Sequence, residues 1–193
     1  VDPEHGVDGI ALLAPVLAGI AALDTRLASR PSVAYGRGSI HASTISGGDQ
    51  LPVYPARCVL GVERCLIAGE TVAQAQAEME SILAAARAAD VRFDGELRTI
   101  VAREPLAQSA DEPVAAAMVS AAARELGRPP IVRGDIAWGD SGLLVEAGIP
   151  CVTFGPVGHG EHTADEWVDL ASVATTAAVL EAAAREFCGE VRP

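Results

Sequence analysis

The chain has 193 residues, a formal net charge of −12 and an isoelectric point near 4.6. This length fits one ordinary domain or two small ones, and the acidic charge argues against a nucleic-acid-binding protein, which usually carries a basic stripe. Half of the residues are apolar, which excludes a disordered chain, and no uninterrupted apolar run approaches the ~20 residues that a membrane span needs.

The pattern of apolar residues and turn residues in the first part of the chain predicts alternating helices and strands. Ile10, Leu13, Leu17 and Ile20 share one helical face, and Pro15 kinks or restarts this helix. The predicted elements are a helix over 8–26, antiparallel strands over 38–46 and 57–66, a helix over 69–89 and a strand over 92–102. One further strand in front would complete the ferredoxin-like β-α-β-β-α-β order, so we expect an α+β domain over residues 1–105 that lacks its first strand.

The second part, residues 106–193, predicts an α/β segment with only two strands. The predicted elements are a helix from a capping box at 109–112 to residue 126, a strand over 131–132, a helix over 141–147, a buried strand over 151–154 and a helix from 167 or 170 to 187. We expect Val173, Ala177, Leu180 and Phe187 to face inward on the last helix. Two parallel strands do not make an independent sheet, so this segment also reads as incomplete.

The loop over 155–166 is the richest candidate for chemistry. It follows a predicted buried strand and holds His159, His162, Glu161, Asp165 and Glu166. In open α/β sheets ligands bind at the carboxyl ends of strands, and imidazole and carboxylate groups are good zinc ligands. The alternative is a solvated glycine-rich loop, because a His-x-x-His pair outside a helix fixes no geometry.

Two further charged residues stand out. Asp140 precedes the short helix that begins at Ser141, and it either orients a ligand on this rim or caps the helix. Arg64 shares a strand face with Cys58, Leu60 and Val62, which favours a carboxylate partner, supplied by either a substrate or a protein acid.

The sequence lacks two other common catalytic motifs, and its cysteines and first residues bear on its cellular compartment. The sequence has no Gly-x-Ser-x-Gly nucleophile motif and no Walker phosphate loop. Its four cysteines lack Cys-x-x-Cys spacing, which is typical of free thiols in a cytoplasmic protein. No signal segment opens the chain.

Several segments, in the same order along the chain, resemble one family of enzymes. They are Ile45-Ser-Gly-Gly-Asp-Gln-Leu-Pro-Val-Tyr-Pro-Ala-Arg-Cys58, Gly69-Glu-Thr71, Trp138-Gly-Asp-Ser141, Phe154-Gly-Pro156, and His162 followed by Glu166-Trp-Val-Asp-Leu-Ala171. This set is similar to the lid domain and C-terminal catalytic segment of the acetylornithine deacetylase, succinyl-diaminopimelate desuccinylase and glutamate carboxypeptidase family, whose members are cocatalytic zinc hydrolases.

The resemblance implies a parent enzyme that uses zinc to cleave amide C–N bonds in N-acyl amino acids, carbamoyl compounds or small peptides. His162 matches the family's last zinc ligand, Asp140 an acidic position near the active-site rim and Arg64 the arginine of the lid strand. The family's other metal ligands and its general base match no segment here, so we expect no catalytic residue in this chain and no activity from it alone. Homodimerisation through the lid is also implied.

Two other functions stay open from the sequence. The chain is either a non-catalytic dimerisation module, because a missing first strand exposes a sheet edge, or a small-molecule-binding regulatory domain built on the ferredoxin-like part. The second alternative predicts ligand binding without metal, whereas the His162 loop favours a metal enzyme.

Overall fold

The described residues divide into two units of mixed α/β structure. The structure is a computed structural model that describes residues 4–32, 36–134 and 139–189. One unit holds residues 4–105 with Gly134, and the other holds residues 106–133 and 139–189. Helices and strands occur in both units, which agrees with the predicted mixed α/β class.

Two helices and a β-hairpin build the first unit. Its elements are a 3₁₀ turn over Ala11–Leu13, α1 over Ala14–Ala28, β1 over Ser39–Gly47, β2 over Cys58–Cys65 and α2 over Val72–Ala89. Helix α1 packs against β1 and α2. The core between them consists of Val16, Ile20, Leu23, Leu27, Ile40, Met79, Ile82, Leu83, Ala86 and Phe93.

Helix α1 begins where Pro15 permits it. Pro15 lies in the first turn, where its missing N–H costs no hydrogen bond, and the 3₁₀ turn precedes it. The predicted apolar face is partly wrong, because Leu17 is 37% exposed and Val16 is buried instead. By length and composition, Ala11–Ala28 is also the one described helix that could cross a membrane. Core helices share these properties, and this helix buries four of its side chains.

The hairpin is antiparallel, as predicted, and contains one irregularity. Ala42 pairs with Val62 and Thr44 pairs with Gly61, so Ser43 forms a bulge in β1. A side chain at Gly61 would overlap the Thr44 hydroxyl, which explains the glycine. Among the described residues, the outer edges of β1 and β2 pair with no other strand.

The predicted strand over 92–102 is wrong for the described chain, which forms no ladder there. Phe93 is buried, as the alternating pattern predicts, but Ile100 is 91% exposed. The segment follows α2 in the opposite direction and is held by its side chains, since Arg87 donates to the Gly95 carbonyl and Gln76 donates to the Thr99 hydroxyl at 3.0 Å. A strand forms only where a neighbouring backbone offers a ladder, and no described segment does so beside residues 92–102.

The second unit is built around two helices. Its elements are α3 over Pro113–Leu126, α4 over Ser141–Glu146, β3 over Gly158–His159, β4 over Trp167–Val168 and α5 over Leu170–Cys188. Helices α3 and α5 pack against each other. Their small core consists of Met118, Ala121, Ala122, Val179 and Ala183, with Val152 and Phe154 packed against it.

The predicted capping box before α3 is wrong. Glu112 occupies the N-cap position without a side-chain hydrogen bond, and the Ser109 hydroxyl instead accepts from the Asp111 N–H at 3.1 Å. Pro113 starts the helix, because its fixed φ suits a first turn. Gly127 ends the helix in the left-handed conformation, as predicted.

The predicted strands over 131–132 and 151–154 do not form in the described residues. Ile131 is 83% exposed. Val152 and Phe154 do pack on the core, as the buried-strand prediction requires. The backbone of Cys151 has a side-chain partner in place of a strand: the Gln108 amide donates to the Cys151 carbonyl and accepts from its N–H, both at 2.7 Å.

The predicted inward face of α5 is also wrong. Helix α5 packs on α3 through Val179 and Ala183. Val173, Leu180 and Phe187 are 42%, 44% and 53% exposed. We call these three residues the outer stripe of α5. The stripe has the spacing of a buried helix face, but each of its three side chains keeps more than two fifths of its surface exposed.

Candidate functional site

The loop that carries His162 is closed at its base by a short antiparallel ladder. Gly158 pairs with Val168, and His159 pairs with Trp167. The two ends of the segment over 160–166 are therefore held side by side. The sequence predicts a loop throughout 155–166, so this ladder is a feature that the sequence analysis missed.

His162 sits at the tip of this loop in an uncommon backbone conformation. A turn forms where the Thr163 N–H donates to the Gly160 carbonyl at 2.9 Å, and the Thr163 hydroxyl donates to the same oxygen at 2.7 Å. His162 occupies the third position of this turn with φ +62, and no other non-glycine residue of the described chain has a positive φ. Such a conformation costs an L-residue roughly 1 kcal/mol and is concentrated at functional sites.

The base of the loop is joined to the start of α5. The Asp169 carboxylate caps the helix by accepting from the Ala171 N–H at 2.9 Å. The Val157 N–H donates to the Ser172 hydroxyl at 2.9 Å, and the Val157 carbonyl accepts from the Asp169 N–H at 2.9 Å. The Asp-x-x-Ser pattern at a helix start is a sequence signal for the local contacts of Asp169 with Ala171 and Ser172, but not for the contacts of this helix start with Val157.

The described residues do not form a complete metal site. Nowhere in the described ranges do three His, Cys, Asp or Glu side chains come close enough together to hold one ion. His159 belongs to the ladder, His162 to the turn, and both are exposed. A zinc ion takes about four ligands, so one imidazole does not fit a resident zinc on its own. The described residues therefore do not support a loop over 155–166 that supplies all ligands of a metal site by itself.

Asp140 lies immediately before α4, as the sequence predicts, but its side chain does not cap the helix. Its carboxylate makes no cap hydrogen bond and is exposed. Only its backbone carbonyl takes part, accepting from the Leu144 N–H at 3.2 Å. The carboxylate is thus available on the surface, and its proposed rim role stays a prediction. Trp138, which precedes it in the family-like motif, lies outside the described residues.

Arg64 is held by two protein carboxylates. Its guanidinium donates to Glu70 through two bonds of 2.8 and 3.1 Å and to Glu78 through one bond of 3.1 Å. It also donates to the Cys65 carbonyl at 2.6 Å, and its side chain is only 9% exposed. The protein-acid partner that the sequence left open is therefore present, and the two glutamates are residues that the sequence analysis missed.

Electrostatics explain how this cluster tolerates partial burial. Burial alone would raise the pKa of Glu70, but the hydrogen bonds from Arg64 and from the Ile67 N–H and the positive charge of Arg64 together lower it. Burial would likewise lower the pKa of Arg64, whereas its bonds to the two glutamates and their charges raise it. Both ions are therefore favoured in the charged form.

A groove within the first unit borders this cluster. It has a volume of about 700 Å³ and is lined by Gly19, Arg26, Arg30, Arg64 and Glu70, among others. A second groove, of about 730 Å³, lies at the loop between β1 and β2, where Leu51 is fully exposed. His41 lies on β1 at 3.6 Å from the Glu63 carboxylate, and both side chains are exposed.

Comparison with known proteins gives a consistent result. Residues 9–186 match the sequence model described as peptidase family M20/M25/M40. The fold is similar to that of the aminopeptidase PepT from Bacillus cereus ATCC 10987, with a TM-score of 0.68 and 19% identity over 97% of this chain and 48% of that chain. It is also similar to the M20 family metallo-carboxypeptidase Sso-CP2 from Sulfolobus solfataricus, with a TM-score of 0.58 and 16% identity over 95% of this chain and 42% of that chain. No curated protein matches. The chain thus spans less than half the length of these two structures.

Proposed function

The chain belongs to peptidase family M20/M25/M40, and from this premise we propose that it is part of a metal-dependent hydrolase that cleaves amide C–N bonds. The proposed substrates are small peptides, N-acyl amino acids or carbamoyl compounds. The family match over residues 9–186 carries the proposal. The names of the two similar structures, an aminopeptidase and a metallo-carboxypeptidase, agree with peptide chemistry.

Within this function, His162 contributes one ligand to a zinc centre whose other ligands lie outside the described residues. The positive φ of His162 supports this role, because a glycine would fill that turn position without strain. Zinc would act there as a Lewis acid for hydrolysis. The described residues form no group of three metal-ligating side chains, and in this proposal the 193-residue chain alone has no activity.

In this proposal, the second unit is one portion of a larger layered domain. The segments over 131–132 and 151–154 carry strand patterns without ladders, and the outer stripe of α5 is exposed. Apolar surface of this kind is normally covered by further sheet and helix layers.

The first unit corresponds in this proposal to a ferredoxin-like lid. Its order α1-β1-β2-α2, with an antiparallel hairpin packed on helices, matches four consecutive elements of the β-α-β-β-α-β arrangement. The segment over 92–102 then corresponds to the last strand, which has no ladder partner among the described residues.

A second candidate function is association through the lid, as a homodimer. The outer edges of β1 and β2 carry no partner strand in the described chain, and Ile45 and Val59 on them are 55% and 50% exposed. Unpaired edges with apolar side chains favour strand addition by another copy. Light scattering after size exclusion should give a dimer mass that Ile45→Lys reduces, whereas a monomer at all concentrations would refute the assignment.

The four free cysteines fit a cytoplasmic protein, which is the location we propose. Fractionation of source cells with an antibody to this chain tests it, and recovery in a membrane or secreted fraction would contradict it.

The zinc proposal is tested by metal analysis and titration of the chain, its His162→Ala variant and its His159→Ala variant. We expect weak, substoichiometric zinc binding that falls only in His162→Ala. We also expect no turnover of dipeptides or N-acetyl amino acids with zinc, cobalt or manganese. Tight stoichiometric zinc, with turnover that a chelator abolishes, would show that this chain is a complete enzyme. Equal binding by all three proteins would remove His162 as a ligand.

The hydrolase assignment is tested on the natural polypeptide that carries this sequence, purified from its source. We expect metal-dependent hydrolysis that His162→Ala reduces at least a hundredfold, while His159→Ala keeps most of it. Hydrolytic activity that neither a chelator nor His162→Ala reduces would refute a metal mechanism.

A further inference from the structure

We propose that Ser172 is a positioning residue that holds the His162 loop in place. The inference rests on the proposed role of His162 as a metal ligand, but it concerns a residue that makes no contact with metal or substrate. Ser172 lies in the first turn of α5, ten positions after His162 along the chain. It is half-buried.

Both backbone polar groups of Val157 are fixed to the start of α5. The Val157 N–H donates to the Ser172 hydroxyl at 2.9 Å, and the Val157 carbonyl accepts from the Asp169 N–H at 2.9 Å. The Ser172 hydroxyl in turn donates to the Asp169 carbonyl at 2.7 Å. One hydroxyl therefore serves as acceptor and donor at once and closes a ring of hydrogen bonds among Val157, Asp169 and Ser172.

This ring lies directly at the base of the loop. Val157 is followed at once by the ladder of Gly158 with Val168, and Asp169 follows Val168. The ladder has only two residues in each strand, and such a short pair is marginal in water by itself. The hydrogen bonds of Ser172 thus extend a short ladder and stabilise the geometry from which the turn at His162 projects.

A serine suits this position better than other small residues. Alanine would leave the Val157 N–H without its partner, and the lost bond would weaken the base of the loop. Thr175 and Thr176 are nearby on α5, but their hydroxyls donate to the carbonyls of Ala171 and Ser172 within the same helix. They therefore offer matched hydroxyl controls whose hydrogen bonds stay within α5.

The test uses NMR on the full chain with Ser172→Thr, Ser172→Val and Thr175→Val. Threonine and valine have the same shape, so the pair at position 172 differs in the hydroxyl group alone. One readout is the amide hydrogen exchange of Val157. The other is the coupling and strong intraresidue contact between the N–H and Hα of His162 that a positive φ produces.

We expect Ser172→Val to speed the exchange of Val157 about tenfold and to lose the positive-φ signature of His162. Ser172→Thr should keep both, and Thr175→Val should change neither. A Ser172→Val variant that keeps the His162 signature would overturn the inference, as would an equal effect of Thr175→Val. Loss of zinc binding in His162→Ala is a separate measurement, so failure of the metal proposal and failure of the positioning proposal are distinguishable.

Discussion

The ion cluster of Arg64, Glu70 and Glu78 allows the sharpest stability prediction. Arg64 joins the end of β2 to α2 and to the turn before it, through three bonds to carboxylates between 2.8 and 3.1 Å. Arg64→Met keeps most of the side-chain volume. We expect it to lower the stability of the first unit more than the removal of any single exposed ion pair would. The two glutamates would then stand close together without a cation.

The expected magnitude follows from burial. Removing one partner of a fully buried ion pair costs about 3–5 kcal/mol. The side chains of Glu70 and Glu78 keep 23% and 30% exposure, so water offsets part of the loss. We therefore expect the free energy of unfolding to fall by about 2–4 kcal/mol, or the midpoint temperature to fall by about 10–20 °C. Glu70→Gln, which keeps an acceptor for the Ile67 N–H, should cost about 1–2 kcal/mol.

The same cluster predicts a pH dependence with a definite sign. The folded-state pKa of Glu70 lies below its ordinary value of 4.5, because the bonds and charge of Arg64 outweigh burial, which would raise it. Its contribution to stability is therefore complete above pH 4.5 and is lost as the pH falls through the folded-state pKa. Arg64→Met should weaken this loss in acid, because it removes the hydrogen bonds and the charge of Arg64 and leaves only the Ile67 N–H to lower the pKa of Glu70.

The assay is amide exchange in the core of the first unit, read at Leu83, for both single variants and the double variant. We expect a coupling energy of about 1–3 kcal/mol between positions 64 and 70. The control is Asp90→Asn. Arg92 lowers the pKa of Asp90 to about 2. The Arg92 side chain is 56% exposed, and an ion pair with a partner so open to water contributes little to stability. A coupling below about 0.5 kcal/mol, or an Asp90→Asn effect as large as that of Glu70→Gln, would refute the reasoning.

Three further predictions concern packing and hydrogen bonding. Gln108→Ala should destabilise the second unit by about 1–3 kcal/mol, because both backbone groups of Cys151 lose their partner; chemical denaturation followed by Trp fluorescence checks this, and no change would contradict it. Gly19→Ala should lower the thermal midpoint of the first unit despite its better helix propensity, because a Cβ would lie 2.7 Å from Ile82; a raised midpoint would contradict the packing. On α5, Leu180→Asn should leave thermal stability nearly unchanged and reduce binding of an apolar dye, whereas Val179→Ala should destabilise; equal effects of the two would contradict the exposed stripe.

Local signals in the sequence determined the helices and the hairpin. Helix α2 begins after Thr71, whose hydroxyl accepts from the Gln74 N–H while the Gln74 side chain accepts from the Thr71 N–H. This capping box is built from residues three positions apart, so the sequence contains all of it. Gly127 ends α3 for a similarly local reason.

The candidate site was predicted in part. The sequence placed His162 in a loop before a helix and Arg64 on a strand with an acidic partner as one option, and the structure agrees with both placements. It did not identify Glu70 and Glu78 as the partners, or the contact of Ser172 with Val157, because each depends on how separate segments pack. The positive φ of His162 is likewise a property of the closed turn and carries no sequence pattern.

Helices and strands differ in what determines them. A helix satisfies its hydrogen bonds within itself, so the chain near α1, α2, α3 and α5 was enough to predict each one. A strand needs a neighbouring backbone, and the segment over 92–102 has a strand pattern but no ladder in the described chain. Tertiary structure likewise decided which face of α5 is covered. The apolar stripe through Leu180 has the pattern of a buried helix face, but burial requires another surface to pack against. In this structure the packing partner of α5 is α3, and α3 covers Val179 instead.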